Sequence, residues 1–499
     1  MHTRRTTTLL LFLSVALLSP LTLDTTASAQ SPKVKATEAI KKARVPKLQA
    51  QLDELAADPK LEGTRIGVHV VDLDSGEELY ARDADGRYNP ASNVKLLTSA
   101  AALDIWGPAH TFSTRLSADK ITAERIDGDL YVRGTGEGFL LYEDILDWAA
   151  TLKRRGITEV TGDVVVSDGP FGEGDYLPPG FGQKNEDASY RAPVGAVSVN
   201  FNAVTVRISP GTEGAPARLT LDPPNDHVEL VNEVTTTAGK KRRLSVKSIS
   251  TDDATGTRIE VKGSIGTGAK PWSSRKRIDN PPMFAGAVIK KALEDLGIEV
   301  KGSVRKGDPP ASAEAVLSHG SEPLVELLMA MNKWSNNFMA EQVLRALGTS
   351  KGAGEKAGSW DGGKVVVLDF LARAGLRLKK AKLHNGSGLY AGNFFSPRNF
   401  TTLLAHMDKH KWSAEYKTTL AIAGTDGTLA GRFKDTHTRG NLRGKTGTLN
   451  EVSALSGYVT TKSGRRLAFS VLFNDPPVRA WKLRPEQDAI AAAIANCEE

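Results

Sequence analysis

Hydrophobic and polar positions follow two different periods along this chain. Leu48, Leu52 and Leu55 recur at helical spacing between Val45 and Ala57, and Asp58-Pro59 ends the run. Ile66-Gly67-Val68-His69-Val70-Val71 then reads as a strand, Asp74-Ser75-Gly76 as a turn, and Leu79-Tyr80-Ala81 as the returning strand. Asn89-Pro90 leads into Leu96, Leu97, Ala100, Ala101, Ala102 and Leu103. That run is a helix with no breaker before Gly107, and Pro90 suits its first turn. From about 113 to 278 the texture is strand-like, with many Gly, Thr and Pro punctuators. The stripe Ile145, Trp148, Ala149, Leu152, closed by Gly156, interrupts it. The clearest strands there are Leu130–Arg133, Val164–Val166, Val204–Ile208, Arg218–Leu221 and Arg258–Val261. Helical spacing returns at Ala285–Leu296, Leu324–Met331, Phe338–Leu347 and Val365–Leu376. The end reads as strand Val452–Val459, turn Ser463-Gly464, strand Leu467–Phe473 and helix Pro485–Asn496. Leu293 through Gly297-Ile298 echoes Leu152 through Gly156-Ile157, a pattern common enough that no repeat is inferred.

Composition changes this picture in four places. At 499 residues the chain exceeds one core, so two or three domains are expected. The start reads as an export signal: Arg4 and Arg5, the apolar run Leu9 to Leu18, then Ala27-Ser28-Ala29 before Gln30. Threonines around Arg4-Arg5 argue against a twin-arginine signal, and the mature chain is expected to be exported, to a periplasm or the cell-wall space. Its single cysteine, Cys497, excludes an intrachain disulfide. Loss of the signal would take the formal charge from +7 to +6, and the basic residues are dispersed. Lys240-Lys241-Arg242-Arg243 follows Ala238-Gly239 and reads as a solvated turn, so no nucleic-acid partner is expected.

Candidate chemistry starts at Ser92 and Lys95, three apart and therefore one turn apart on one helix face. A lysine whose pKa is lowered by burial can take a serine proton there, although a serine at a helix start is commonly a cap. Lys445-Thr446-Gly447-Thr448 on a strand-like stretch adds a fixed charge, two hydroxyls and a glycine that admits a ligand to the backbone. With Ser335/Asn337 between them, the order S-x-x-K, S-x-N, K-T-G is the serine acyl-transfer set of β-lactamases and penicillin-binding proteins. Other signals are bland. His406 and His410 lack a third zinc ligand, no histidine sits in a G-x-S-x-G context, and Gly134–Gly138 lacks the ending of a phosphate loop.

From about Arg65 to Asn474 the chain resembles the class C low-molecular-mass penicillin-binding proteins, D-alanyl-D-alanine carboxypeptidases and endopeptidases of the cell wall. Beyond the three motifs, the resemblance rests on the long insertion, Gly424–Leu429, Asn385–Leu389, and Lys445–Leu449 leading to Leu455-Ser456-Gly457-Tyr458. It implies an α/β (α+β) transpeptidase/β-lactamase-like domain, an antiparallel sheet between helices, over residues 30–112 and 279–499. One mainly β insertion would take 113–195 and 265–278, and a second would take 196–264. It further implies that Ser92 is the nucleophile, Lys95 the base and Ser335 the proton donor to the leaving amine. Asn337 would bind the peptide or orient Lys95. Lys445, Thr446 and Thr448 would hold the terminal carboxylate, and the N–H groups of Ser92 and Thr448 would form the oxyanion hole. Asp168 would face the diamino side chain of the stem peptide; its alternative is a turn cap. Peptidoglycan stem peptides are the implied substrates and β-lactams the covalent inhibitors, with no metal or cofactor. The chain departs from the pattern D-G-S-G-L-S-R-x-N by carrying Asn385 for the acid and Ala391 for the arginine. A β-lactamase is disfavoured by the insertion and by the absence of a Glu-x-x-x-Asn motif. A non-catalytic wall-binding protein on this scaffold is disfavoured by the intact nucleophile and lysines.

Overall fold

The computed structural model describes residues 47–172, 174–183, 187–251, 256–434 and 437–498; the expected signal segment lies outside them. A six-stranded antiparallel sheet runs in the order Ala421–Ile422, Arg443–Leu449, Val452–Thr460, Arg466–Asn474, Arg65–Asp72, Glu78–Arg82. Its central strands are buried on both faces, and their alternation divides two cores. Leu455, Phe469, Val471 and Phe473 pack with Leu48 and Leu52 of the helix over 47–56 and with Ile490 and Ile494 of helix Arg484–Ala495. Ala454, Ala468 and Leu472 face the other way, into the core built around helix Val94–Trp106. Every residue from Val94 to Leu103 is buried, so this helix is central rather than amphipathic. Gly107, at φ +76°, closes it by donating to the Leu103 carbonyl.

The insertion holds a seven-stranded sheet whose members include Ser113–Ile121, Arg125–Gly134, Val164–Ser167 and Glu314–Gly320. Two three-stranded sheets lie between residues 203 and 277, and they share one hydrophobic core with the seven-stranded sheet. Two expected boundaries move. Helix Pro281–Asp295 buries Phe284, Val288 and Ala292 in the insertion's core, and strands Glu299–Val300, Val304–Lys306 and Glu314–Gly320 pair within its sheet. The large domain therefore resumes near Leu324 rather than at 279. Trp272–Arg277, expected to return to the outer insertion, pairs instead with Ala203–Ser209 of the inner unit. Which sheet a strand joins depends on partners far along the chain, which local alternation does not encode.

The echo noted at Gly156 and Gly297 is a structural repeat after all. Helices Tyr142–Arg154 and Pro281–Asp295 contact each other, and the strands that follow them pair in parallel. Glu299 stands opposite Glu159 and Val304 opposite Val164, each 140 positions on. The loop Gly134–Gly138 is the expected strand-to-helix connection, and Glu137 within it pairs with His319 at 3.5 Å. His406 packs on Phe370, and His410 meets Asp104 at 3.3 Å. Among the described residues no helix is long and apolar enough to cross a membrane.

Candidate active site

Pro90 precedes a short 3-10 turn, Ala91–Asn93, that delivers Ser92 to the start of the central helix. The turn is tight: Ala91 has φ +45°, the left-handed region that most side chains avoid. Two glycines allow neighbours to close on it. A Cβ at Gly388, at φ +80°, would overlap the Ala91 carbonyl oxygen, and one at Gly447 would lie 2.7 Å from the Pro90 carbonyl oxygen. The room at Gly447 thus serves the nucleophile turn, where the sequence suggested ligand access. With its amide oriented to satisfy both ends, Asn93 donates to the Lys445 carbonyl at 2.8 Å and accepts from Ser456 Oγ at 2.7 Å. This ties the turn to the K-T-G strand.

Lys95 is fully buried. Its Nζ lies 3.0 Å from Ser92 Oγ, 2.9 Å from Asn337 Oδ1 and 2.7 Å from the Ser387 carbonyl. Burial pulls its pKa from 10.5 to about 7, against an opposing pull from the Glu341 carboxylate. A neutral amine has two N–H bonds and one lone pair. Asn337 and Ser387 take the two N–H bonds, leaving the lone pair toward the Ser92 hydroxyl. Glu341, also fully buried, accepts from Gly386 N at 3.0 Å and Ser387 N at 2.8 Å, and burial raises its pKa. It therefore holds the loop that supplies the Ser387 carbonyl.

Lys445 lies beside Ser335. Its Nζ is fully buried and donates to Ser335 Oγ at 2.9 Å and to the Thr446 carbonyl at 2.8 Å. Burial, and secondarily the charge of Lys95, push its pKa well below the usual amine range. Lys445 thus serves Ser335, which sits at φ +57° just before helix Asn337–Leu347. Thr446 donates to Thr428 Oγ1 at 2.8 Å, whereas Thr448 is exposed and accepts from Arg484 Nη2 at 3.2 Å. Asn337, Tyr190, Ala391, Thr448, Asn450 and Trp481 are among the residues lining a cleft of about 560 Å³.

Asp168, Asn385 and Ala391 have other surroundings. Asp168 accepts from Tyr176 Oη at 2.7 Å, and its carboxylate acts electrostatically on Arg345; it does not cap its turn. Asn385 is fully buried, donates to the carbonyls of Pro179 and Leu389, and accepts from Gly388 N and Asn393 Nδ2. It braces its own loop. Ala391 lines the cleft and supplies no charge there.

The family model for the D-Ala-D-Ala carboxypeptidase 3 (S13) peptidases matches residues 48–497, nearly the whole described chain. The chain belongs to the S13 peptidase family. It is 36% identical over 471 residues to the D-alanyl-D-alanine carboxypeptidase of Actinomadura sp. (strain R39), covering 91% of this chain and 85% of that one. D-alanyl-D-alanine carboxypeptidase DacB of Haemophilus influenzae is 26% identical over 418 residues, covering 83% of this chain and 86% of that protein. The crystal structure of Haemophilus influenzae penicillin binding protein 4 superposes with a TM-score of 0.75 at 25% identity, over 89% of this chain and 98% of that one. As an S13 peptidase the protein is a serine hydrolase with the transpeptidase-like fold. Motif reading within this family missed Glu341, the Ser387 carbonyl and Arg484. Glu341 lies four residues after Asn337, hence on the same helix face, and that spacing was the available signal.

Proposed function

We propose that this S13 peptidase cleaves the D-Ala-D-Ala bond of peptidoglycan stem peptides through an acyl-enzyme on Ser92, as a carboxypeptidase and, on cross-linked peptides, as an endopeptidase. The observation that carries the reading is the set of contacts of buried Lys95 Nζ, with Ser92 Oγ at 3.0 Å and Asn337 and Ser387 as its other partners; in the neutral form the last two take both N–H bonds and the lone pair is left for the Ser92 hydroxyl. The Ser92 proton passes to Lys95 Nζ as Oγ bonds to the penultimate D-alanine carbonyl. The developing oxyanion is received by the N–H groups of Ser92 and Thr448, where one such donor is typically worth ~10²–10³ in rate. Collapse breaks the C–N bond; the leaving amine takes a proton from the Ser335 hydroxyl, Lys445 restores it, and the proton Lys95 took from Ser92 replaces the one Lys445 gave, so that Lys95 is again a free amine. Water then attacks the ester, Lys95 accepts its proton, and Ser92 leaves reprotonated. Asp168 would meet the diamino side chain, and the mature protein would act in the periplasm or cell-wall space. A β-lactam presents the same electrophile, and penicillin binding protein 4 from Haemophilus influenzae has been solved with one bound, which supports covalent inhibition here.

A labelled penicillin is the test. Intact-mass analysis should show one adduct on the wild type and none on Ser92→Ala, and D-alanine should be released from a pentapeptide. An adduct that survives Ser92→Ala would refute the assignment.

A further inference from the structure

A terminal carboxylate needs a counter-charge, and Lys445 does not offer one to the cleft. Its Nζ is buried against Ser335 and the Thr446 carbonyl, and Lys95 repels any charge it carries. Arg398, the basic residue nearest in sequence to Ala391 in the following helix, is held by Glu78 and Asp85. Ala391 itself is uncharged.

Arg484 is a cation beside the cleft whose side chain meets a lining residue. It opens the last helix, Arg484–Ala495, three residues after the cleft-lining Trp481. Its Nη2 donates to the hydroxyl of Thr448, another lining residue, at 3.2 Å. No carboxylate among the described residues pairs with it. Asp488, one turn further along the helix, is instead taken by Arg432, whose Nε donates to it at 2.9 Å. Partial desolvation and the nearby charge of Arg432 disfavour the guanidinium's charge, and the field of Asp488 offsets them only in part. Such a group gains from an anion that arrives in the cleft, and its planar fork suits a carboxylate. The hydroxyl of Thr448 already accepts from Arg484, so its own hydrogen is free to donate outward.

We propose that Arg484, together with the Thr448 hydroxyl, binds the terminal carboxylate of the D-alanine leaving group and so sets the enzyme's preference for a free chain end. Arg484 is a specificity-determining residue, while Lys445 keeps Ser335 in place as the proton donor.

The inference rests on the acyl-enzyme reading, and the test separates the two. Two thioesters share one acyl group and differ only in whether the leaving thiol bears a carboxylate or a carboxamide. Their acylation rates are compared on the full chain. Wild type should favour the carboxylate by about ten- to a hundredfold, the usual worth of charge-assisted hydrogen bonds. Arg484→Gln should bring the ratio to near one, and Arg484→Lys should leave it between. A ratio unchanged in Arg484→Gln, or an equal loss on both esters, overturns the proposal. So does a loss that tracks a side-chain carboxylate in stem peptides rather than the leaving group's. Failure of both thioesters to acylate wild-type Ser92 would instead overturn the acyl-enzyme reading.

Discussion

Replacing Lys95 by methionine keeps the length of a buried side chain and removes its nitrogen. Wild-type Lys95 titrates near pH 7 because burial disfavours its charge. A base works only when deprotonated, so acylation should rise through about pH 7 and then level off. Lys445 feels the charge of Lys95, so the limb belongs to the pair of amines. Methionine should slow acylation by ~10²–10⁴, the usual contribution of a positioned base. A stability readout accompanies the rate. The folded pKa lies below the unfolded value of 10.5, so between pH 7 and 10.5 the unfolded chain binds the extra proton. Stability contributed by this site is therefore lowest below pH 7 and rises across that window. At ~1.36 kcal/mol per tenfold in proton affinity, the full rise is about 5 kcal/mol. The assay is stopped-flow acylation by a fluorescent penicillin, paired with urea unfolding of wild type and Lys95→Met over the same pH range. Groups that do not feel the Lys95 charge cancel in the stability difference, whereas Lys445 and Glu341, which do, contribute to it alongside Lys95. A flat wild-type rate profile, an acid limb that persists in Lys95→Met, or a stability difference that does not change with pH would refute the argument.

Glu341→Gln removes a charge that raises the Lys95 pKa, so the acid limb of acylation should move to lower pH; a limb that stays put means the carboxyl exerts no field there. Gly388→Ala meets both φ +80° and the Ala91 carbonyl and should cost ~2–5 kcal/mol in urea unfolding and stop acylation. Gly464→Ala, at φ +85° with open space around it, should cost only ~1–2 kcal/mol. A similar cost at the two sites would disprove the close-approach argument. With Ala391 in place and Arg398 engaged elsewhere, kcat/KM should be nearly equal for stem peptides with a free or an amidated side-chain carboxylate; Ala391→Arg should create a preference of roughly tenfold, and a strong preference already in the wild type would defeat the reasoning.

Spacing along the chain fixes the local chemistry of this protein. Ser92 and Lys95 stand one helical turn apart wherever that helix packs, and Gly107 ends it with a left-handed cap. Strands Val452–Thr460 and Arg466–Asn474 follow from their apolar runs and the turn between them. The order of the three motifs identified the family. Only the tertiary structure decided what those residues do to one another. The acceptors that turn Lys95 into an oriented amine, Asn337 and Ser387, lie 242 and 292 positions away, and desolvation by the whole core sets its proton affinity. The motif does not say that Lys445 is buried against Ser335 or that Arg484 meets the Thr448 hydroxyl; the packing does. The insertion's edge was misplaced for the same reason: helix Pro281–Asp295 and the strands after it look alike in any sheet, and pairing with partners 140 residues back chose one. Spacing within a helix or strand is a local property of the backbone, whereas burial and pairing are properties of what folds against it.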